Sequence, residues 1–302
     1  MTTAFVLGGG GLLGAVEVGM LRALLERDIR PDLVLGTSIG AFNGALVARQ
    51  PDLAVVERLT ELWRSAGSAR EAGYGDRPLR TVRRAVSSRT HLWSAEPLRQ
   101  RLEDELGDLT FEELPVTFQV CAASIERAAE HWFTRGRVVD AVVASAAVPG
   151  LLPPAEVDGE HFLDGGIVNS VPLGRAVGLG ATRVFVLQVG RLDRPLSPPK
   201  RPWDVARVSF EIARRHRFVR ELAELPDEVE CHVLPARGTS ARDDTLLGSR
   251  DFAGVQRRID ATYDASRAYL DDLDRPSTPP SSSSPPLRSP DEQLGGDPGE
   301  AL

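Results

Sequence analysis

Only two cysteines, Cys121 and Cys231, occur in the 302 residues of this chain. They lie far apart in apolar stretches, so neither a disulfide framework nor a cysteine-based metal cluster is expected; two buried, reduced thiols are the simplest reading. An excess of basic charge is also lacking. The formal net charge is −7, which leaves no broad cationic face for a polyphosphate backbone and argues against nucleic acid as a partner. The same balance weakens attraction to anionic lipid but leaves open transient contact with a neutral membrane or micelle. No run approaches the roughly 18 to 20 apolar residues of a membrane span. Met1–Thr3 lead into Ala4–Gly8 without the charged and apolar regions of a secretory signal. A cytoplasmic protein is the expectation.

What is present is a folded, enzyme-sized chain. At 42% hydrophobic and 26% charged residues, it fits neither collagenous, coiled-coil nor wholly disordered classes. The first fifty residues read as two βα units. Ala4–Leu7 is an apolar run broken by Gly8 to Gly11, after which Val18, Leu21, Leu24 and Leu25 recur at helical spacing. Leu33–Leu35 is a second run closed by Gly36, and an Ala- and Leu-rich helix from Ile39 to Arg49 is stopped by Pro51. Such alternation predicts an α/β fold with a largely parallel sheet covered on both faces.

Further helices are expected near Leu53–Ser65, Glu96–Leu106, Val138–Ala147, Trp203–Leu222 and Phe252–Leu273. Strands are expected at Val116–Ile125, His131–Thr134, Arg183–Val189 and Val229–Leu234. The Arg- and Gly-rich stretch from Gly67 to Arg89 is a candidate mobile cap. The reading is therefore one domain over 1–273, with a motif-bearing core at about 4–190 and additional elements at 200–273. Residues 274–302 form a tail whose PSTPPSSSSPP run holds too little apolar surface to offset chain entropy, so disorder is expected there.

Three segments carry candidate chemistry. GTSIG, with Ser38 between Gly36 and Gly40, follows a strand and precedes a helix, the context in which a G-x-S-x-G turn exposes a nucleophilic hydroxyl. An ordinary turn with Ser38 near an N-cap is the alternative. GGGGLLG, from Gly8 to Gly14, joins the first strand to the first helix. Glycine amides at a helix N-terminus can approach an oxyanion closely, and Gly10 and Gly11 are the preferred donors within a loop that includes Gly9 and Gly14. The same loop matches G-x-G-x-x-G at Gly9, Gly11 and Gly14, so a dinucleotide turn competes. That turn expects an acid near the end of the second strand. Here the strand ends in Gly36-Thr37-Ser38, and Asp32 precedes it.

A serine needs a base to take its proton. The five histidines, His91, His131, His161, His216 and His232, lie in no evident catalytic motif. Asp164, in FLDGGIVNSVPL, is a second candidate, with Gly165 and Gly166 allowing close backbone packing beside it; an ordinary Asp-Gly turn explains the same residues.

With these motifs in this order, the chain resembles the patatin-like phospholipase family. LGGGGLLGAVEVGML is similar to the family's opening strand, oxyanion loop and helix, GTSIGAFNGAL to its nucleophile turn, and VVASAAVPGLLPP followed by FLDGGIVNSVP to the approach to its catalytic aspartate. The resemblance covers most of residues 4 to 190. It implies a three-layer α/β/α sandwich and a Ser38–Asp164 dyad in place of a triad. It also implies an oxyanion loop at Gly9, Gly10, Gly11 and Gly14, with Gly36, Gly40, Gly165 and Gly166 supporting the two turns. No metal or organic cofactor is implied. Many members carry a basic residue where this chain has Leu13, which favours a neutral ester or a lysophospholipid over an anionic phospholipid as substrate. The activity implied is lipid ester hydrolysis; the alternative is a catalytically silent lipid-binding or scaffold protein on the same fold, docking a partner through the proline-rich tail.

Overall fold

The computed structural model describes residues 1–72, 91, 93–189, 195–199, 202–237 and 254–275. Most of the expected cap and the tail from 276 onward lie outside the described residues. Eight strands form one sheet: β1 (Thr3–Leu7), β2 (Leu33–Thr37), β3 (Thr117–Ser124), β4 (Ala129–Phe133), β5 (Ala155–Val157), β6 (Glu160–Asp164), β7 (Arg183–Leu187) and β8 (Glu230–Val233). The helices are α1 (Ala15–Leu25), α2 (Ile39–Arg49), α3 (Leu53–Ala72), α4 (Glu96–Leu106), α5 (Val138–Ser145), α6 (Gly166–Asn169), α7 (Leu173–Gly178), α8 (Pro202–Ala223) and α9 (Val255–Leu273). A short 3-10 turn, Gly11–Gly14, leads into α1.

The expected parallel sheet is present in β3-β2-β1-β7-β8, all parallel neighbours. Antiparallel β4, β5 and β6 extend it beyond β3. The three-residue β5 and the short helices α6 and α7 are too brief to show a period and were not anticipated.

Successive side chains on a strand point to opposite faces. On β1, Phe5 and Leu7 enter one core while Ala4 and Val6 enter another. The first core takes in residues of α1, α2, α3, α4, α5 and α9; the second is closed by Leu173 and Ala176 of α7 and Phe218 of α8. The result is three layers, helices–sheet–helices, and it explains why the central strands are apolar on both faces. Val18, Leu21 and Leu24 of α1 are fully buried, each contributing roughly 1.5–3 kcal/mol relative to exposure. Cys121 is buried on β3 and Cys231 only half-buried on β8, both unbridged, so one of the two expected buried thiols is partly open.

One detail of register positions the site. β2 and β4 both pair with Val120 and Cys121 of β3, so they occupy opposite edges of it. β4 and β6 both pair with Ala122 to Ser124, so they too are opposite. β2 and β6 therefore share one edge of β3 and run toward each other along it. β2 ends with Thr37 opposite Cys121, and β6 ends with Asp164 opposite Ala122. The chain brings the residue after Thr37 face to face with Asp164.

Candidate active site

That residue is Ser38. Its backbone sits at φ 55, ψ −119, a region that a residue with a side chain rarely adopts and that costs about 1–3 kcal/mol. Several bonds hold it there. Its N–H donates to Ser145 Oγ at 2.7 Å, and its carbonyl accepts from the N–H groups of Ala41 and Phe42 at 3.0 and 3.2 Å. Although Ser38 occupies the N-cap position of α2, its side chain makes no capping bond. The hydroxyl instead donates to Asp164 Oδ2 at 2.5 Å, across 126 residues of sequence. Ser38 thus stands at the N-cap position, as the ordinary-turn alternative expects, without capping the helix through its side chain.

Asp164 is 2% exposed. Its second oxygen, Oδ1, accepts the N–H of Gly166 at 2.7 Å, and its own N–H donates to the Ala147 carbonyl. Burial pushes its carboxyl up to about 6, against the lowering effect of the bonds from Ser38 and Gly166. The group is thus ionised at neutral pH yet more basic than an exposed aspartate. His131 pairs on the opposite edge of β3 and meets Phe133 edge-on and Phe162 at a tilt. His161 engages Glu126, and His232 engages Glu230 and Tyr269.

The glycines around the turns allow backbones to touch. A Cβ on Gly40 would lie 2.3 Å from the Leu7 carbonyl oxygen, one on Gly36 2.5 Å from Ala41 Cα, and one on Gly165 2.1 Å from the Cys121 carbonyl oxygen. In the Gly8–Gly14 loop the backbone groups divide. The N–H of Gly8 is taken by the Leu187 carbonyl and that of Gly9 by the Ser170 carbonyl. Among the described residues no acceptor is recorded for the N–H of Gly10 or Gly11. Gly9 contributes proximity instead, since a Cβ there would be 3.5 Å from Ser38 Cβ. Gly14 is a packing residue, with Ile39 and Trp63 filling the space a Cβ would need and its carbonyl accepting from Asn43.

Two contributors carried no local signal. Ser145, at the end of α5, is fully buried. Its hydroxyl accepts from Ser38 N–H and donates to the Cys121 carbonyl at 2.5 Å, and its carbonyl accepts from Gly165 N–H at 3.2 Å. It fills the gap where β2 and β6 meet. Helix α8 supplies Arg214, whose guanidinium donates to the Gly9 carbonyl, and Arg217, which donates to the Val168 carbonyl on the Asp164 side. Leu13 packs partly buried against the larger core, and Arg214 of α8 is a cation in contact with the loop backbone.

A serine at positive φ, an aspartate at hydrogen-bond distance from its hydroxyl and two glycine amides without an acceptor among the described residues lie together at this end of the sheet. The profile of the family described as Patatin-like phospholipase matches residues 5–177. The chain belongs to that family. It is 32% identical over 200 residues to lysophospholipase nte1 of Aspergillus terreus, covering 64% of this chain and 12% of that protein. Over 192 residues it is 31% identical to patatin-like phospholipase domain-containing protein 7 of Rattus norvegicus, covering 63% and 14%. It is 30% identical over 190 residues to neuropathy target esterase sws of Drosophila melanogaster, covering 62% and 13%. The match thus spans only about an eighth of these longer relatives. Among solved structures, VipD from Legionella pneumophila aligns with a TM-score of 0.45 at 14% identity, over 90% of this chain and 67% of that one. No helix among the described residues is long and apolar enough to cross a membrane.

Proposed function

We propose that this patatin-like domain is a serine acyl hydrolase that cleaves carboxylic esters of lipids, lysophospholipids among them, through a Ser38–Asp164 dyad. The observation that carries the reading is the 2.5 Å bond from Ser38 Oγ to Asp164 Oδ2, made by a serine held at positive φ. Asp164 takes the hydroxyl proton as Ser38 Oγ attacks the ester carbonyl. The oxygen that becomes negative is met by the N–H groups of Gly10 and Gly11. As the tetrahedral intermediate collapses, the proton on Asp164 passes to the leaving alkoxide and an acyl-Ser38 ester remains. Water then attacks, again giving its proton to Asp164, and the fatty acid leaves as Ser38 recovers its own.

A carboxyl near 6 suits this exchange, being ionised at neutral pH and able to hold a proton between steps. The names of the relatives support a lipid ester, and lysophospholipase nte1 in particular supports a lysophospholipid. A hydrolysis panel of neutral esters, lysophospholipids and diacyl phospholipids tests the proposal, with Ser38→Ala as the blank. Turnover that vanishes in Ser38→Ala and Asp164→Asn is expected; equal turnover in Ser38→Ala sinks it. A fluorophosphonate probe separates an enzyme from a silent lipid-binding scaffold, since only an activated Ser38 takes the label stoichiometrically.

A further inference from the structure

Four consecutive glycines, Gly8 to Gly11, carry no side chains with which to hold their own peptides in place, and glycine is the residue that loses most freedom when ordered. The loop must be gripped from outside. Two grips are backbone bonds, Gly8 N–H to the Leu187 carbonyl and Gly9 N–H to the Ser170 carbonyl. A third is a charged side chain from a distant element. Arg214 of α8, 205 residues away in sequence, donates Nη1 to the Gly9 carbonyl at 2.9 Å. Its side chain is 3% exposed and is paired with Glu211 at 3.0 Å, one turn back on the same helix. Its buried Nε has no hydrogen-bond partner among the described residues. Burying a guanidinium is costly, and the bonds to the Gly9 carbonyl and Glu211 are what offset that cost.

The Gly9 carbonyl and the Gly10 N–H belong to one planar trans peptide and point in opposite directions. Pinning the carbonyl toward α8 therefore turns the Gly10 N–H away from α8, and no acceptor is recorded for it among the described residues. A cation on the carbonyl also polarises the peptide and makes its N–H a stronger donor. We infer that Arg214 is a positioning residue of the oxyanion loop, fixing the Gly9–Gly10 peptide so that the Gly10 amide meets the developing oxyanion. The inference rests on the hydrolase reading. It also gives this chain a cation at the loop although Leu13 provides none.

The test uses the full chain with Arg214→Met, Arg214→Lys and a control, Arg27→Met, which breaks ion pairs with Asp271 and Asp274 beyond the far end of α1. Turnover of a p-nitrophenyl acyl ester is normalised to the serine titrated by fluorophosphonate, and affinity is measured for a trifluoromethyl ketone whose serine adduct carries an oxyanion. Arg214→Met is expected to lower kcat per titrated serine by roughly 100-fold, the scale of one lost oxyanion donor. KM should stay within about twofold and ketone affinity should fall in parallel, because the interaction forms only in the transition state. Arg214→Lys recovers part of the loss, and Arg27→Met lowers Tm without changing kcat.

A lower titrated fraction with unchanged kcat per serine would mark Arg214 as merely structural and overturn the inference. Should Arg214→Met not fold, Arg214→Lys decides: a loss of about threefold or more supports the role, and unchanged turnover overturns it. A wild type that takes no label removes the hydrolase reading and the Arg214 role together. A labelled, active wild type with normal kcat in Arg214→Met removes the Arg214 role alone.

Discussion

The Ser145 hydroxyl accepts the backbone N–H of Ser38 at 2.7 Å while donating to the Cys121 carbonyl. One buried oxygen thereby ties the strained turn after β2 to the strand it pairs with, at the point where β2 and β6 meet head to head. Ser145→Ala leaves two buried backbone groups without partners, and each such loss costs about 1–3 kcal/mol. The expected result is a fall of roughly 2–4 kcal/mol in urea unfolding, within that same range for two groups. Turnover per titrated serine should fall as well, since Ser38 loses one of the bonds that hold its backbone. Full activity in Ser145→Ala would show that the other contacts suffice to hold the turn.

Asp164 links activity and stability to pH in opposite senses. Its buried carboxyl sits at about 6 instead of 3.8, so kcat/KM should fall on the acid side with an apparent pKa near 6 as the base becomes protonated. For stability the folded form holds the proton more tightly than the unfolded form. The contribution is fully present below about pH 3.8 and is lost as pH rises through 6. At pH 8 the buried carboxylate costs on the order of 3 kcal/mol, taking about 1.4 kcal/mol for each of roughly two pH units. Asp164→Asn keeps the Gly166 bond through its oxygen, while its amide N–H donates to Ser38 Oγ and so reverses that bond. It should be inactive yet more stable than wild type at pH 8, and the gap in urea midpoint should close toward pH 4.

Much of this arrangement is visible in the sequence. The helix Ile39–Arg49 appears with its expected bounds, because an Ala- and Leu-rich run lies between a strained serine turn and Pro51. Ser38 stands out because glycines lie two residues to either side of it, and Asp164 because two glycines follow it. Ser145 does not, since it sits in a small-residue helix like its neighbours and gains meaning only from where β2 and β6 end along β3. That is a matter of strand register, which local pattern does not carry. Arg214 is one arginine among several on an amphipathic helix, and nothing in its spacing tells that it turns inward to Gly9.

Asn43 supports the site from beneath. Its amide donates to the Gly14 carbonyl at 3.0 Å and to Glu17 Oε2 at 2.7 Å, and its oxygen accepts from Trp63 Nε1 at 3.2 Å. Burial pushes the Glu17 carboxyl well above the usual range. Asn43→Leu fills similar space but strands all three partners, and at about 1–3 kcal/mol each the loss should be roughly 3 kcal/mol or more. Glu17→Gln removes only the titration. Because the raised carboxyl contributes stability at low pH that fades as pH rises, the variant should gain on wild type toward alkaline pH in a series of thermal melts. Parallel curves at all pH values would mean that Glu17 stays in one protonation state throughout.

Gly9 and Gly40 separate what the turns need for folding from what the chemistry needs. A methyl on Gly40 would lie 2.3 Å from the Leu7 carbonyl oxygen, and β1 backbone in the middle of the sheet cannot yield. Gly40→Ala should therefore destabilise by about 3 kcal/mol or more, at the upper end of overpacking costs. The nearest neighbours of a methyl on Gly9 are the Ser170 hydroxyl at 3.1 Å, Ser38 Cβ at 3.5 Å and the Thr37 carbonyl oxygen at 3.7 Å. The hydroxyl can rotate aside, so Gly9→Ala should fold with a change of within about 1 kcal/mol, as for substitutions that create no severe clash. Its methyl nevertheless occupies space beside Ser38, where the proposed reaction brings an ester carbonyl to both Ser38 and the Gly10 amide. Turnover should drop by at least about tenfold, a loss of roughly 1.4 kcal/mol in transition-state stabilisation. The pair of variants is read by thermal melts and ester hydrolysis side by side. A stable Gly9→Ala protein with wild-type turnover would place the reacting carbonyl away from this loop.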